Sequence, residues 1–250
     1  RSAFPALRRA AEGFAGRLPH LRLEDATRVP GPAHARNAGA RIARAELLAF
    51  ADADDEVGAG WAAAMAEAVG RHGFVASRLE TRRLNPRWAL ENPQVQGLQT
   101  LWYPPYLPHA SASGLGVRRG AHEAVGGFDE GWPGLEDTEY CIRMQRAGTA
   151  LHFAPEAVVH YRMRSAPREV FAQARLWARY NLLLYRRYGS GSPPVPDPWG
   201  RYRRAWRRLC GQWLGIRRRE DLLQASFALG WQVGTLAGCL RYRVPPVTAW

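Results

Sequence analysis

Lysine is missing from this 250-residue chain, and all 35 of its basic side chains are arginine. So uniform a choice reads as coding bias and by itself excludes no partner. Cysteine is scarce: Cys141, Cys210 and Cys239 are odd in number and have no metal-ligand spacing, which excludes a disulfide framework. A reducing compartment fits that usage. No stretch offers the ~20 apolar residues that a spanning helix needs, and no basic start, apolar run and small-residue cleavage site occur together. These absences predict a cytoplasmic protein, or one peripheral to the inner face of a membrane. No internal repeat or low-complexity tract is present.

What is present can bury a full core. Hydrophobic residues make up 46% of the chain and charged residues 23%, so disorder is not expected, and the length suits one substantial domain plus an appendage. The formal net charge of +13 is unevenly spread. Residues 1–161 carry 18 arginines against 18 acids, whereas residues 162–250 carry 17 against 4. A neutral body with a basic tail follows, and such a tail suits anionic lipid, an anionic acceptor or nucleic acid.

Apolar periodicity predicts a helix over Phe4–Phe14, a short strand near Leu21–Leu23, a small-residue helix over His34–Arg44, a buried strand over Glu46–Ala51 and a helix over Trp61–Val69. A strand over Gly73–Leu79 precedes a long irregular stretch containing Trp88, Trp102, Tyr103, Pro104, Pro105 and Tyr106. Beyond it come a strand near Leu115–Val117, the turn Gly126-Gly127, a helix over Glu136–Ala147 and strands at Ala150–Phe153 and Val158–Tyr161. A long helix over Pro167–Tyr188, a Gly/Ser/Pro linker near 189–200 and basic helices over Tyr202–Leu214 and Glu220–Arg241 complete the chain. The alternation implies an α/β fold with a largely parallel sheet covered by helices.

The strand near Leu47–Phe50 runs into Asp52-Ala53-Asp54-Asp55, at the carboxyl end where α/β sheets meet ligands. In extended chain Asp52 and Asp54 project to one side, so both could face one hard divalent cation, as a diphosphate requires. A solvated turn is the bland alternative. Glu136-Asp137 opens a helix, where carboxylates serve as caps or as general bases.

Ala35-Arg36-Asn37-Ala38-Gly39 lies upstream of the acids, and Gly126-Gly127-Phe128-Asp129-Glu130, Glu136-Asp137 and Val159-His160 follow downstream. In this ordered set the chain resembles the family 2 glycosyltransferases of the GT-A fold over roughly residues 25–165. The resemblance implies a GT-A-like, Rossmann-like mixed sheet, mostly parallel and flanked by helices. It also implies a glycosyltransferase body over 1–165 and a basic helical extension over 166–250. It implies that Asp52 approaches the nucleotide ribose and the metal, that Asp54 is the principal metal ligand and that Arg36 contacts the nucleotide. Asp137 then deprotonates the acceptor hydroxyl, with Glu136 placing the acceptor or tuning its neighbour.

His160 is either a metal ligand or a strand histidine with an ordinary partner, and ligation would favour Mn over Mg. Arg119, with Arg118, either meets donor phosphates or is solvated. Trp102 to Tyr106 could stack on a sugar or pack beneath a loop. The expected partners are a nucleotide-sugar donor, an unidentified acceptor and an anionic membrane surface met by the C-terminal helices, with no specific nucleic acid. Two departures stand out: Gly114 replaces a usual Asn, and nothing before Arg36 supplies the strand-helix-strand unit that opens the family, so the chain reads as lacking it. A binding protein without turnover and a basic nucleic-acid binder are the competing readings.

Overall fold

The computed structural model describes residues 4–14, 16–87, 97–101, 103–189 and 193–248. In chain order the elements are α1 (Phe4–Glu12), α2 (Pro32–Ile42), β1 (Leu47–Ala49), β2 (Glu56–Val57), α3 (Trp61–His72), β3 (Phe74–Glu80), β4 (Gln99–Thr100), β5 (Pro108–His109), β6 (Leu115–Arg118), α4 (Arg119–Ala124), α5 (Glu136–Arg146), β7 (His152–His160), α6 (Pro167–Tyr188), α7 (Pro198–Leu214) and α8 (Arg219–Tyr242). Five strands form a mixed sheet in the order β1-β6-β3-β7-β2, and β4 pairs with β5 in a separate two-stranded ladder.

Side-chain alternation on the central strand explains the layers. Phe74 and Ala76 enter one apolar cluster, with Ala33 and Ala40 of α2 and Tyr140, Cys141 and Met144 of α5. Val75 enters another, with Met65 and Val69 of α3. Neighbouring residues of a strand face opposite ways, so the sheet is covered by helices on both faces, as the α/β rhythm predicted. Among the described strands, however, only β3 and β7 pair in parallel; β1–β6, β6–β3 and β7–β2 are antiparallel. The parallel component is therefore smaller than expected, because β6 inserts between β1 and β3 and runs against both.

β7 was expected as two strands and is one. Its register against β3 jumps from Ala154 to Val158 between Ser77 and Arg78, a bulge that accommodates Pro155 without a ladder donor. No strand forms at Leu21–Leu23. Trp88 and Trp102 lie outside the described residues. Tyr103 is buried with Leu101, Trp132, Ile142, Leu184 and Tyr188, so it packs under the loop, while Tyr106 is exposed.

α6 has the predicted boundaries and joins the body through Leu184 and Tyr188. α8 packs along α6, and Gly230, Gly234 and Gly238 allow the approach: a Cβ at the first two would meet the carbonyl oxygens of Phe171 and Arg175, and at Gly238 would lie 2.7 Å from Leu182 Cδ1. The glycine face thus packs on α6. No helix among the described residues is long and apolar enough to cross a membrane.

Candidate active site

β1 hands the chain to the acidic segment. The ladder continues one residue beyond it, with the Phe50 N–H donating to Leu115 O (2.8 Å) and the Gly114 N–H to Phe50 O (2.8 Å). The chain then leaves the sheet, and the Asp55 N–H closes a turn onto Asp52 O at 3.2 Å. Asp52, Asp54 and Asp55 converge because of that turn, and not by strand alternation as the sequence suggested. Each offers an oxygen within 4.8 Å of the others.

The neighbours of this triad come from distant segments. Ser113 Oγ donates to Asp55 Oδ2 (2.5 Å) and accepts the Asp52 N–H (3.3 Å). Beyond β7, the Arg162 N–H donates to Asp55 Oδ1 (2.8 Å), and its Nε donates to Asp54 O (2.9 Å). Burial pushes the Asp55 carboxyl above its usual range, with repulsion from Asp54 and Asp52 adding to it and the Ser113 and Arg162 bonds opposing. Three carboxylates with oxygens this close together suit a hard cation.

Gly114 explains the absent asparagine. Its φ is +98°, and a Cβ there would sit 2.6 Å from Ser77 Cβ, so a side chain has no room. Ser113, one residue earlier, is the polar side chain that reaches the acidic turn. No sequence signal singled it out, since only the close packing of β6 against β3 decides which position is free.

Arg36 joins the two acidic motifs. On the buried side of α2, its Nη2 donates to Asp52 Oδ1 (2.6 Å) and its Nη1 to Glu136 Oε1 (2.7 Å), with the guanidinium carbon 5.5 Å from the Phe128 ring centre. Although burial opposes it, Asp52 and Glu136 raise the Arg36 pKa further. Asn37 beside it fixes the glycine turn: its Nδ2 donates to Phe128 O and Glu130 Oε1, both at 2.9 Å, and its Oδ1 accepts the Phe128 N–H at 2.9 Å. The Ala-Arg-Asn helix is therefore a clamp between three loops.

α5 begins at Glu136, after Leu135 in a left-handed conformation with no side-chain cap bond. Asp137 Oδ1 accepts the Thr138 N–H (2.7 Å) and its Oδ2 the Ala112 N–H (3.3 Å). Burial drives the Asp137 carboxyl upward, against the pull of Arg36 and both hydrogen bonds. Glu136 is also raised, first by burial and then by Asp137, with Arg36 opposing. Tyr161 shares the electrostatic surroundings of Asp55, Asp137, Asp52 and Asp54, and burial raises its phenol well above the ordinary value. The metal-capable turn and the helix start are thus neighbours, joined through Arg36.

His160 does not belong to the carboxylate triad. Its Nδ1 bonds Glu80 Oε2 at 2.7 Å, and although burial works the other way, that bond holds the Glu80 carboxyl below its usual range. Arg119, expected at the donor, has another role. Nε donates to Ala45 O (3.0 Å), Nη1 to Ala40 O (3.0 Å), and Nη2 to Ala43 O (2.7 Å) and Ala45 O (2.8 Å). Those carbonyls need donors at the end of α2, so the guanidinium caps that end with all three nitrogens. Arg118 likewise donates to Gly70 O. An open groove of about 570 Å³ lies between α2 and β1, and its lining includes Arg36, Gly39, Leu48, Phe50 and Asp52.

Residues 5–126 match Glycosyl transferase family 2. The pre-mycofactocin glycosyltransferases of Mycobacterium tuberculosis strains CDC 1551 / Oshkosh and ATCC 25618 / H37Rv are each 30% identical over 177 residues, which is 66% of this chain and 37% of theirs. The chain thus spans little more than a third of those relatives. A mannosyltransferase from Pyrobaculum calidifontis, solved with GDP-Man and Mn2+, aligns at TM-score 0.53 and 17% identity, covering 97% of this chain and 64% of that one. That likeness shows a shared GT-A fold.

Proposed function

The chain belongs to the family 2 glycosyltransferases, and on that premise we propose that it transfers a sugar from a nucleotide-sugar donor to an acceptor hydroxyl with inversion at the anomeric carbon. The observation that supports this reading is the Arg36 bridge, which joins Asp52 to Glu136.

Asp52, Asp54 and Asp55 would hold a divalent ion, Mn or Mg, which neutralises charge on the departing diphosphate. His160 is kept as a further ligand through Nε2, because a carboxylate on the other ring nitrogen is the usual support of a ligating imidazole. Arg36 and the groove it helps to line would receive the nucleotide end of the donor. The Pyrobaculum mannosyltransferase binds a donor and an ion of this kind.

Asp137 takes the proton of the acceptor hydroxyl as its oxygen attacks the anomeric carbon and the bond from that carbon to the phosphate oxygen breaks. A hydroxyl is a poor nucleophile until a base removes its proton, and a carboxylate with a raised pKa is the stronger base. Glu136, paired with Arg36, orients the acceptor or tunes its neighbour.

The test separates the two acidic motifs in the natural full-length protein, by release of nucleoside diphosphate from a panel of nucleotide sugars. Asp137→Asn is expected to lower turnover by about 10²–10⁴-fold with donor affinity nearly unchanged, because a base acts only as the transition state forms. Asp54→Asn should weaken metal-dependent donor binding itself. Normal turnover in both Asp137→Asn and Glu136→Gln would leave the pair as a helix start only and end the proposed mechanism.

A further inference from the structure

Beyond the cleft, the junction of α7 and α8 presents charge of one sign around exposed apolar side chains. α7 faces the body with Gly200, Tyr202, Ala205 and Leu209, and Tyr202 Oη donates to Gln232 O of α8 at 3.1 Å. After Leu209 that contact ends, and every residue from Cys210 to Gly215 is exposed. Leu214 is 91% exposed and Trp213 45%, so the helix carries an apolar tip into solvent. From 201 to 219 the chain has arginine at 201, 203, 204, 207, 208, 217, 218 and 219, and no acid. The flanking acids Asp197, Glu220 and Asp221 are three against these eight arginines, so the stretch keeps a net positive charge. Asp197 meets Arg204 at 3.0 Å, and Asp221 accepts the backbone N–H groups of Arg217 and Arg218.

We propose that this junction seats the protein on an anionic lipid surface, with Trp213 and Leu214 entering the headgroup layer and the arginines at the lipid phosphates. Each half of the arrangement needs the other. Exposed Leu214 gains only from an apolar phase, and the arginines gain only from nearby negative charge. A nucleic-acid backbone would satisfy the arginines but offers Leu214 no apolar phase, so lipid is the better match. The inference does not depend on the chemistry of the cleft.

Pelleting of the full chain with phosphatidylcholine vesicles, with and without phosphatidylglycerol, tests it without any turnover assay. Binding is expected on the mixed vesicles at low salt, with loss on the neutral ones and at high salt. Exchanging Arg203, Arg207 and Arg217 for serine should reduce partitioning by about fivefold per arginine, and Leu214→Ser by about tenfold or more, with the melting temperature unchanged. Absence of binding to mixed vesicles, equal binding to neutral ones or an unaffected Leu214→Ser variant would each overturn the proposal. So would a labelled RNA duplex that binds more tightly than the vesicles, depends on the same arginines and ignores Leu214.

Discussion

At Arg36 two hydrogen bonds hold carboxylates from different loops against their mutual repulsion. The same guanidinium is the leading charge that lowers the proton affinity of both Glu136 and Asp137. Arg36→Gln should therefore move the acid limb of the kcat/KM pH profile upward, from a wild-type limb that already lies above the ordinary carboxylate range. An unmoved limb would show that neither carboxyl governs it. Asp137 makes a second residue-scale prediction. A carboxyl whose folded pKa is raised binds its proton more tightly in the folded state, so stability falls as pH rises from the unfolded value through the folded one, and the cost persists at neutral pH. Asp137→Asn removes that buried charge, so the variant should melt at or above wild type at pH 7, and the difference should shrink on acidification. A clearly lower melting temperature at pH 7 would contradict the burial penalty.

Among the elements, α6 and α8 meet backbone to backbone, and their glycines are the reason. An alanine at Gly234 would push its Cβ into the Arg175 carbonyl, so overpacking of about 1–3 kcal/mol outweighs the better helix propensity. Gly234→Ala should lower the melting temperature by several degrees. Gly211 supplies the control: nothing lies within 4 Å of its would-be Cβ, so Gly211→Ala should be neutral or stabilising by about 0.5–1 kcal/mol. The four-residue spacing of Gly230, Gly234 and Gly238 puts them on one helical face, but periodicity names a face and not what covers it.

For the molecule as a whole, the cluster of Leu101, Tyr103, Trp132, Ile142, Leu184 and Tyr188 joins α5, the loop before β5 and α6 in one core. We therefore expect body and C-terminal helices to unfold together. Calorimetry should show one transition, and Leu184→Ala, a fully buried truncation, should shift that transition by about 2–5 kcal/mol without splitting it. Two separated transitions would establish independent units divided near residue 165.

The amino-acid sequence alone determined the α/β class, the boundaries of α6, the segregation of charge into the last third and the acidic and Ala-Arg-Asn motifs in order. Those features are local or compositional, carried by apolar spacing and residue type. Tertiary structure alone decided that β6 enters the sheet between β1 and β3, that Ser113 meets the acidic turn while Gly114 has no room for a side chain, and that Arg119 caps the end of α2 while Arg36 bridges the acids. Two arginines look alike in sequence. Which one meets carboxylates and which one meets orphan carbonyls depends on the groups brought within 3 Å of each guanidinium, and those arrive from segments tens of residues away only when the chain folds.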